Sequence, residues 1–424
     1  MYDVIVVGAR CAGSPVAMLL ARQGHRVLVL DRASFPSDTV STHYLHQAGL
    51  SRLQDWGLLD RVAATGVTPI RELNFTYTGI DIRGFADPID GVDVVYCPRR
   101  TVLDKILVDA AREAGAEVIE RFTVTELVFD DGRVIGVRGR EADGRELEFR
   151  ATVVVGADGA NSVVAKAVGA ETYRHEPAAG FIYYSYYSGL DWGMHHRTSF
   201  AEQQIGTWPT NDGLNLLAII RPRERFSEFR ADPERHFQDI YDEVDPEMGE
   251  QLRDAGERVE PFRPMRYPDN YYRRSHGPGW ALVGDAGYHK DPFTGWGITD
   301  AFKYGEVLAG KLHSALAGEV PMEEALADYE KIRDAESAGT FKLTCSLSTL
   351  RLTPYYEAIF GATSQSPSYI KKFFGLIAGG YPGEEFFAPR NLEQLYEEVG
   401  TPAEQRLLTD SPSAKQDGPV RGES

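Results

Sequence analysis

A short apolar run, Val4 to Val7, ends at Gly8, and a second, Val27 to Leu30, ends at Asp31. Between them, Pro15 to Gln23 carries its apolar residues Val16, Ala17, Leu19 and Leu20 at helical spacing. Strand, glycine turn, helix and strand in so short a stretch make a βαβ unit. Its two strands must run parallel and lie buried on both faces. The glycines of Gly8-Ala-Arg-Cys-Ala-Gly13 allow a tight turn and close approach of helix to strand. The helix N-terminus then offers N–H groups and a positive dipole end to a pyrophosphate. Asp31 ends the second strand, where a carboxylate suits the hydroxyls of an adenosine ribose. Arg10 stands where such a fingerprint has its middle glycine; its Cβ crowds a pyrophosphate, although its guanidinium can swing round to bind one.

Two further strand-to-glycine turns follow. Val153-Val-Val-Gly-Ala-Asp158-Gly159-Ala-Asn-Ser162 reads as a buried strand and a turn, with Asn161 and Ser162 able to cap the next helix. Capping alone is an open alternative for this turn. Trp280-Ala-Leu-Val-Gly284-Asp285-Ala-Gly287 delivers a second carboxylate to a turn, and Asp291-Pro292 and Gly295-Trp-Gly297-Ile298 lead into a helix near 297–317. A glycine-lined helix start stabilises negative charge held against it.

Elsewhere, Ser51 to Val62 reads as one amphipathic helix and Thr101 to Ala114 as a strong helix closed by Gly115. Strands are expected at 117–119, 124–129, 134–138, 146–149 and 152–155, with Asp131-Gly132 and Asp143-Gly144 as turns. From Gly180 the chain becomes β-rich and aromatic, and helices fill 322–399. Tyr183, Tyr184, Tyr186, Tyr187 and Trp208 suit either stacking on an aromatic substrate or a plain aromatic core. Strand alternation sends half of the tyrosines to the other face.

At 424 residues the chain exceeds what one core usually serves, so two interlocked domains are expected. A net charge of −18 disfavours nucleic acid and anionic lipid as partners. Three widely spaced cysteines fit neither a paired disulfide framework nor a metal site, and imply reduced thiols in the cytoplasm. No apolar run approaches the ~20 residues needed to span a bilayer.

In order and spacing the three glycine motifs resemble the flavoprotein monooxygenases of the para-hydroxybenzoate hydroxylase class and their geranylgeranyl-reductase-like and halogenase relatives. The resemblance implies an α/β fold: a Rossmann-like FAD-binding domain from 1–70, 97–175 and 268–345, interleaved with a β-sheet substrate domain from 71–96 and 176–267. C-terminal helices at 346–400 and a flexible tail at 401–424 complete the expectation. Gly8, Gly13 and Asp31 match the ADP-binding fingerprint, with Arg10, which departs from it, and Arg32 as further candidate cofactor-binding residues, and Asp158 and Gly159 match the family's Asp-Gly motif. Asp285 matches the residue on the ribityl chain, and Pro292, Gly295, Gly297 and Ile298 the loop against the isoalloxazine. Pro98-Arg-Arg-Thr-Val-Leu103 looks like the family's Arg-x-x-Leu helix start, so Arg100, or else Arg99, reaches the FAD. Ser41-Thr42-His43 falls where the class passes a loop beside the flavin. His43 and His289 are candidate acid–base groups or packing histidines.

The resemblance implies hydride from NADPH or NADH, addition of molecular oxygen at flavin C4a, and oxygen transfer to a sizeable, aromatic or polyketide-like small molecule. A prenyl-chain reductase and a flavin-binding sensor or scaffold without turnover are the alternatives. The Trp-x-Trp-x-Ile-Pro signature of the halogenases is absent.

Overall fold

A computed structural model describes residues 1–407. Of the expected tail, 408–424 lies outside the described residues. Just before it, the carbonyl of Leu407 accepts a hydrogen bond from Tyr396 Oη at 3.2 Å.

The βαβ unit forms as the sequence requires. Tyr2–Val7 pairs in parallel with Val27–Leu30 on one side and with the end of Glu146–Gly156 on the other. Glu117–Ile119 extends the sheet beyond Val27–Leu30, and Trp280–Leu282 extends it beyond Glu146–Gly156, both parallel. The intervening helix, Gly13–Arg22, starts two residues earlier than its apolar spacing suggests. A Cβ on Gly13 would lie 1.8 Å from the Gly8 carbonyl oxygen, so only glycine lets the helix begin so close to the strand.

Two expectations are corrected. Residues 146–149 and 152–155 are one strand, Glu146–Gly156, rather than two. Its first half pairs antiparallel with Arg133–Arg140, up to Arg150 opposite Gly136; from Ala151 onward it pairs with Tyr2–Val7. The change in patterning that suggested a break is a change of partner, with no turn residue between. Conversely, Ser51 to Val62 is two helices, Gln47–Asp55 and Leu59–Ala63. Gly57 between them has φ +74°, and this left-handed residue ends the first helix.

A second sheet runs in the order Glu257–Arg258, Gly180–Ser188, Asn215–Pro222, Gln204–Pro209, Met194–Thr198, Leu73–Tyr77 and Ile80–Gly84. The tyrosines of Gly180–Ser188 divide by strand alternation. Tyr183 and Tyr187 pack with Phe237 and Tyr241 of the helix Pro233–Val244. Tyr184 and Tyr186 share the opposite core with Trp208 and with Phe360 and Phe373 of the helices Pro354–Thr363 and Pro367–Ala378. The C-terminal helices thus roof the sheet face that also packs against Tyr44 and Phe293. A small three-stranded sheet of Tyr288–His289, Asn270–Arg273 and Thr172–Glu176 supports the turn after Asp285. No helix among the described residues is long and apolar enough to cross a membrane.

Candidate functional site

The three glycine turns all leave carboxyl ends of parallel strands, where ligands of open α/β sheets bind. They converge on one cavity of about 580 Å³. Gly8, Arg10, Asp31 and Arg32 line it, with Arg100, Asp158 and Gly159. Asp285, Pro292, Gly295, Gly297 and Ile298 line it too, as do His43 and His289. Gly13 does not line the cavity; its role is the close packing described above. Arg99 does not line it either.

Near the first turn the charges are tightly organised. Asp31 Oδ2 accepts the Ala9 N–H at 2.7 Å and Oδ1 the Ala33 N–H at 2.7 Å. A carboxylate has about four lone-pair sites, so two stay open toward the cavity. Asp104, which no sequence motif singled out, is fully buried and holds two arginines. Arg100 binds it through Nε at 3.1 Å and Nη2 at 2.9 Å, and Arg10 through Nη1 at 2.5 Å. Arg10 therefore leans away from the turn, donating also to Ser37 Oγ at 3.0 Å. Two guanidinium groups on one carboxylate leave that cluster with an excess positive charge, suited to a pyrophosphate, although Asp38 lines the cavity beside it. The one legible signal for Asp104 is its i+4 spacing from Arg100 on the helix Arg100–Glu113.

At the second turn Asp158 serves its own helix. Its carboxylate accepts Ser162 Oγ–H at 2.5 Å and the Val163 N–H at 2.6 Å, while Ser162 caps Ala165. Gly159 beside it has φ +78°. At the third turn Asp285 Oδ1 stands 3.4 Å from His289 Nδ1. Its side chain is 47% exposed, opening on the cavity it lines. Burial raises its pKa, but the neighbouring His289, Arg100 and Lys290 outweigh that and hold it below the usual carboxylate range. It stays an acceptor for hydroxyl groups.

Sequence reasoning also missed Lys290. It is buried, pairs with Asp300 and donates to Tyr288 Oη at 2.9 Å. Burial lowers its pKa and Asp300 counters that, so the pair enters the wall nearly neutral overall.

His43 is fully buried with φ +63°, unusual for a residue with a Cβ. Its Nε2 is hydrogen-bonded to Tyr186 Oη, the two rings lying nearly parallel with their centroids 5.8 Å apart. Burial, then Arg100, Arg99 and Arg263, push it well below the usual histidine range, so it is a neutral group. Arg99 covers a face of Tyr186, its guanidinium 4.0 Å from the ring centroid, and is held by Glu260 at 2.6 Å.

Beyond this wall lies a second, smaller void of about 40 Å³. Thr42, Tyr44, Pro292 and Gly295 line both spaces and stand between them. Its remaining walls are largely apolar, with Phe75, Phe293, Phe360 and Phe373 among them.

Whether a flavin nucleotide fits is tested by the glycines. A Cβ on Gly297 would meet no protein atom within 4 Å, although this residue opens a helix and lines the cavity. Alanine is favoured over glycine in a helix and nothing in the protein excludes it here, so the missing side chain matches space required by a ligand. With the arginine cluster on Asp104 and the acceptors Asp31 and Asp285 all lining this one cavity, the residues fit FAD.

A glycine-turned parallel sheet with such a cavity defines a dinucleotide-binding flavoprotein. The chain belongs to the FAD binding domain family, which matches residues 1–343, and is an FAD-dependent oxidoreductase. It is 27% identical over 356 residues, 80% of this chain and 82% of the relative, to digeranylgeranylglycerophospholipid reductase of Methanosarcina acetivorans. It is 22% identical over 392 residues, 89% of this chain and 92% of the relative, to 1H-pyrrole-2-carbonyl-[peptidyl-carrier protein] brominase of Pseudoalteromonas luteoviolacea. The flavin-dependent brominase Bmp2 superposes with a TM-score of 0.80, covering 94% of this chain and 99% of that one at 21% identity. PqsL of Pseudomonas aeruginosa, a probable FAD-dependent monooxygenase, gives 0.70, covering 82% and 96% at 22% identity. These structural likenesses establish the shared fold.

Proposed function

We propose that the protein is an NAD(P)H-consuming FAD monooxygenase that oxygenates an aromatic small molecule. The observation that carries the reading is the junction at Thr42, Tyr44, Pro292 and Gly295. It sets the loop before the helix Gly297–Leu316 directly against an enclosed, aromatic-walled void.

Bound FAD would supply two-electron redox chemistry and the activation of oxygen. The chain's own residues bind and orient. Arg100 and Arg10, on Asp104, face the phosphates; Asp31 accepts from the ribose and Asp285 from the ribityl hydroxyls. The N-terminus of the helix Gly297–Leu316 stabilises negative charge on the ring when it is reduced. The phenylalanine walls exclude water from the reacting end. No second glycine-rich dinucleotide motif is found in the sequence, so the nicotinamide donor binds transiently at the same cavity. The aromatic residues that wall the void suit stacking on a ring, and the halogenases' tryptophan signature is missing.

The test is anaerobic reduction of the yellow protein by NADPH or NADH, followed by rapid mixing with oxygenated buffer and an aromatic substrate. Bleaching, then a transient spectrum unlike oxidised or reduced flavin and an oxygenated product, is expected. Reduced flavin inert to oxygen would replace this reading with the reductase; failure to bleach would favour a flavin-binding protein without turnover.

A further inference from the structure

The family match ends at residue 343, yet the chain beyond it grips the loop that leads into the helix Gly297–Leu316. Residues of this loop fall into two groups. Pro292, Gly295 and Gly297 line the large cavity, whereas Phe293, Thr294 and Trp296 do not. Each of the latter three meets the later chain. Phe293 is buried in the core that holds Phe360, Phe373 and Phe374. Thr294 Oγ1 shares a hydrogen bond of 2.7 Å with Thr344 Oγ1, near the end of the helix Met322–Leu347. The indole of Trp296 reaches Gly379, which ends the helix Pro367–Ala378.

The contact at Gly379 leaves no spare room. A Cβ there would lie 2.6 Å from Trp296 Cη2 and 3.3 Å from Ala48 Cβ. With φ +86° the residue also has a backbone reason to be glycine. Gly400 shows that second reason alone: it follows the helix Pro389–Glu398 with φ +71°, and a Cβ there would meet nothing within 4 Å. The indole that Gly379 accommodates is itself closely held. Trp296 is buried, its ring tilted against His46 with centroids 4.8 Å apart. His46 in turn is hydrogen-bonded through Nε2 to the Thr294 carbonyl oxygen at 2.9 Å. Elsewhere in the loop, a Cβ on Gly295 would lie 2.7 Å from Tyr44 Cδ1. Packing this close passes a push on the indole into the loop backbone.

We infer that the helices beyond the family match are part of the flavin site. Gly379, through Trp296, and Thr344, through Thr294, are positioning residues that fix the backbone of Gly295 and Gly297 at the cavity wall. Neither lines the cavity, so neither touches a ligand there. This rests on the reading above that the loop faces the flavin, and it names what holds the loop in place.

The experiment is titration of the flavin-stripped full-length chain with FAD, followed by fluorescence quenching, together with thermal unfolding of the same samples. Gly379→Ala should weaken FAD at least about fivefold, the lower end of what one over-packed methyl group costs. Gly400→Ala, which carries the backbone strain without the contact, should lower the unfolding temperature and leave FAD affinity within about twofold. In a Trp296→Phe background, whose smaller ring withdraws Cη2, the penalty of Gly379→Ala should shrink to within about twofold. Should Gly379→Ala fail to fold, Thr344→Val removes the hydroxyl contact without adding bulk and should by itself weaken FAD about threefold or more. Wild-type affinity in Gly379→Ala, or an equal penalty in the Trp296→Phe background, would overturn the inference; so would wild-type affinity in Thr344→Val where that variant is the one measured. Gly297→Ala, titrated alongside, separates the inference from the reading beneath it. If Gly297→Ala weakens FAD and Gly379→Ala does not, the loop faces the flavin but the C-terminal helices do not set it. If neither weakens FAD, the loop is not at the flavin and both fail.

Discussion

Replacing Gly297 by alanine separates what this residue does for the helix from what it does for the ligand. A Cβ there meets no protein atom within 4 Å, so the change brings no clash in the apoprotein. Alanine is better than glycine in a helix by up to about 1 kcal/mol, less at a first-turn position, so the flavin-free variant should be as stable as wild type or slightly more so. The methyl group projects into the cavity instead. If the flavin packs against this backbone, the added volume costs about 1–3 kcal/mol of binding, or roughly 5- to 150-fold in Kd. Gly310 is the internal control. It lies in the same helix, also has nothing within 4 Å, and is exposed away from the cavity. Gly310→Ala should stabilise apo- and holoprotein alike and leave FAD affinity unchanged. The assay is thermal unfolding of apoprotein together with quenching of FAD fluorescence on titration. If Gly297→Ala bound FAD as tightly as wild type, the cavity would not hold the flavin against this helix start. If instead the apoprotein were destabilised, the open space beside Gly297 would be wrongly described.

Asp104→Ala should cost about 3–5 kcal/mol of apoprotein stability in urea unfolding, because it leaves the buried Arg100 without its counter-charge. Arg10→Ala should cost less, since that side chain is 25% exposed. Asp31→Ala should weaken FAD by about 1–3 kcal/mol and FMN much less, because only FAD carries the adenosine ribose; equal losses in parallel titrations would remove Asp31 from the site. The neutral histidines predict an acid-labile fold. His46 and His196 have folded pKa values of about 3, below the ~6.5 of an unfolded histidine, so in that window the unfolded chain binds more protons. Stability should be full above about pH 6.5 and fall as pH drops toward 3, by at most about 1.4 kcal/mol per pH unit for each ring. His196→Asn should flatten the urea midpoint against pH, and an unchanged slope would contradict the neutral assignment.

Much of this protein is legible in the sequence because glycine turns and apolar runs are local devices. Gly8, the pair Asp158-Gly159, and Gly284-Asp285 each follow a run of buried β-branched or aliphatic residues, and each emerges at a strand's carboxyl end beside the same cavity. The division of the tyrosines of Gly180–Ser188 between two cores likewise follows from a period of two. Local pattern misleads where the same signal has two causes. The shift from alternating to continuous apolar residues near Arg150 looks like a strand end but is a change of neighbour, and apolar spacing carries through Gly57 although the backbone turns there.

The chemistry of the walls belongs to tertiary structure alone. Asp104 gathers Arg10 from a turn about ninety residues away, and His196 meets Trp208 across two strands and Phe75 from another. Those partnerships depend on which strands and helices lie side by side, and no periodicity of one segment encodes what its neighbour presents. The same is true of what is missing. That Trp208 Nε1 and His46 Nδ1 have no partner is a property of everything around them, and only the folded chain reveals it. The sequence alone determined a parallel sheet with glycine turns suited to a dinucleotide. Packing of the C-terminal helices over the second sheet decided which polar atoms would be shut away beside it, because burial is settled by the surfaces that meet and not by the segment that carries the atom.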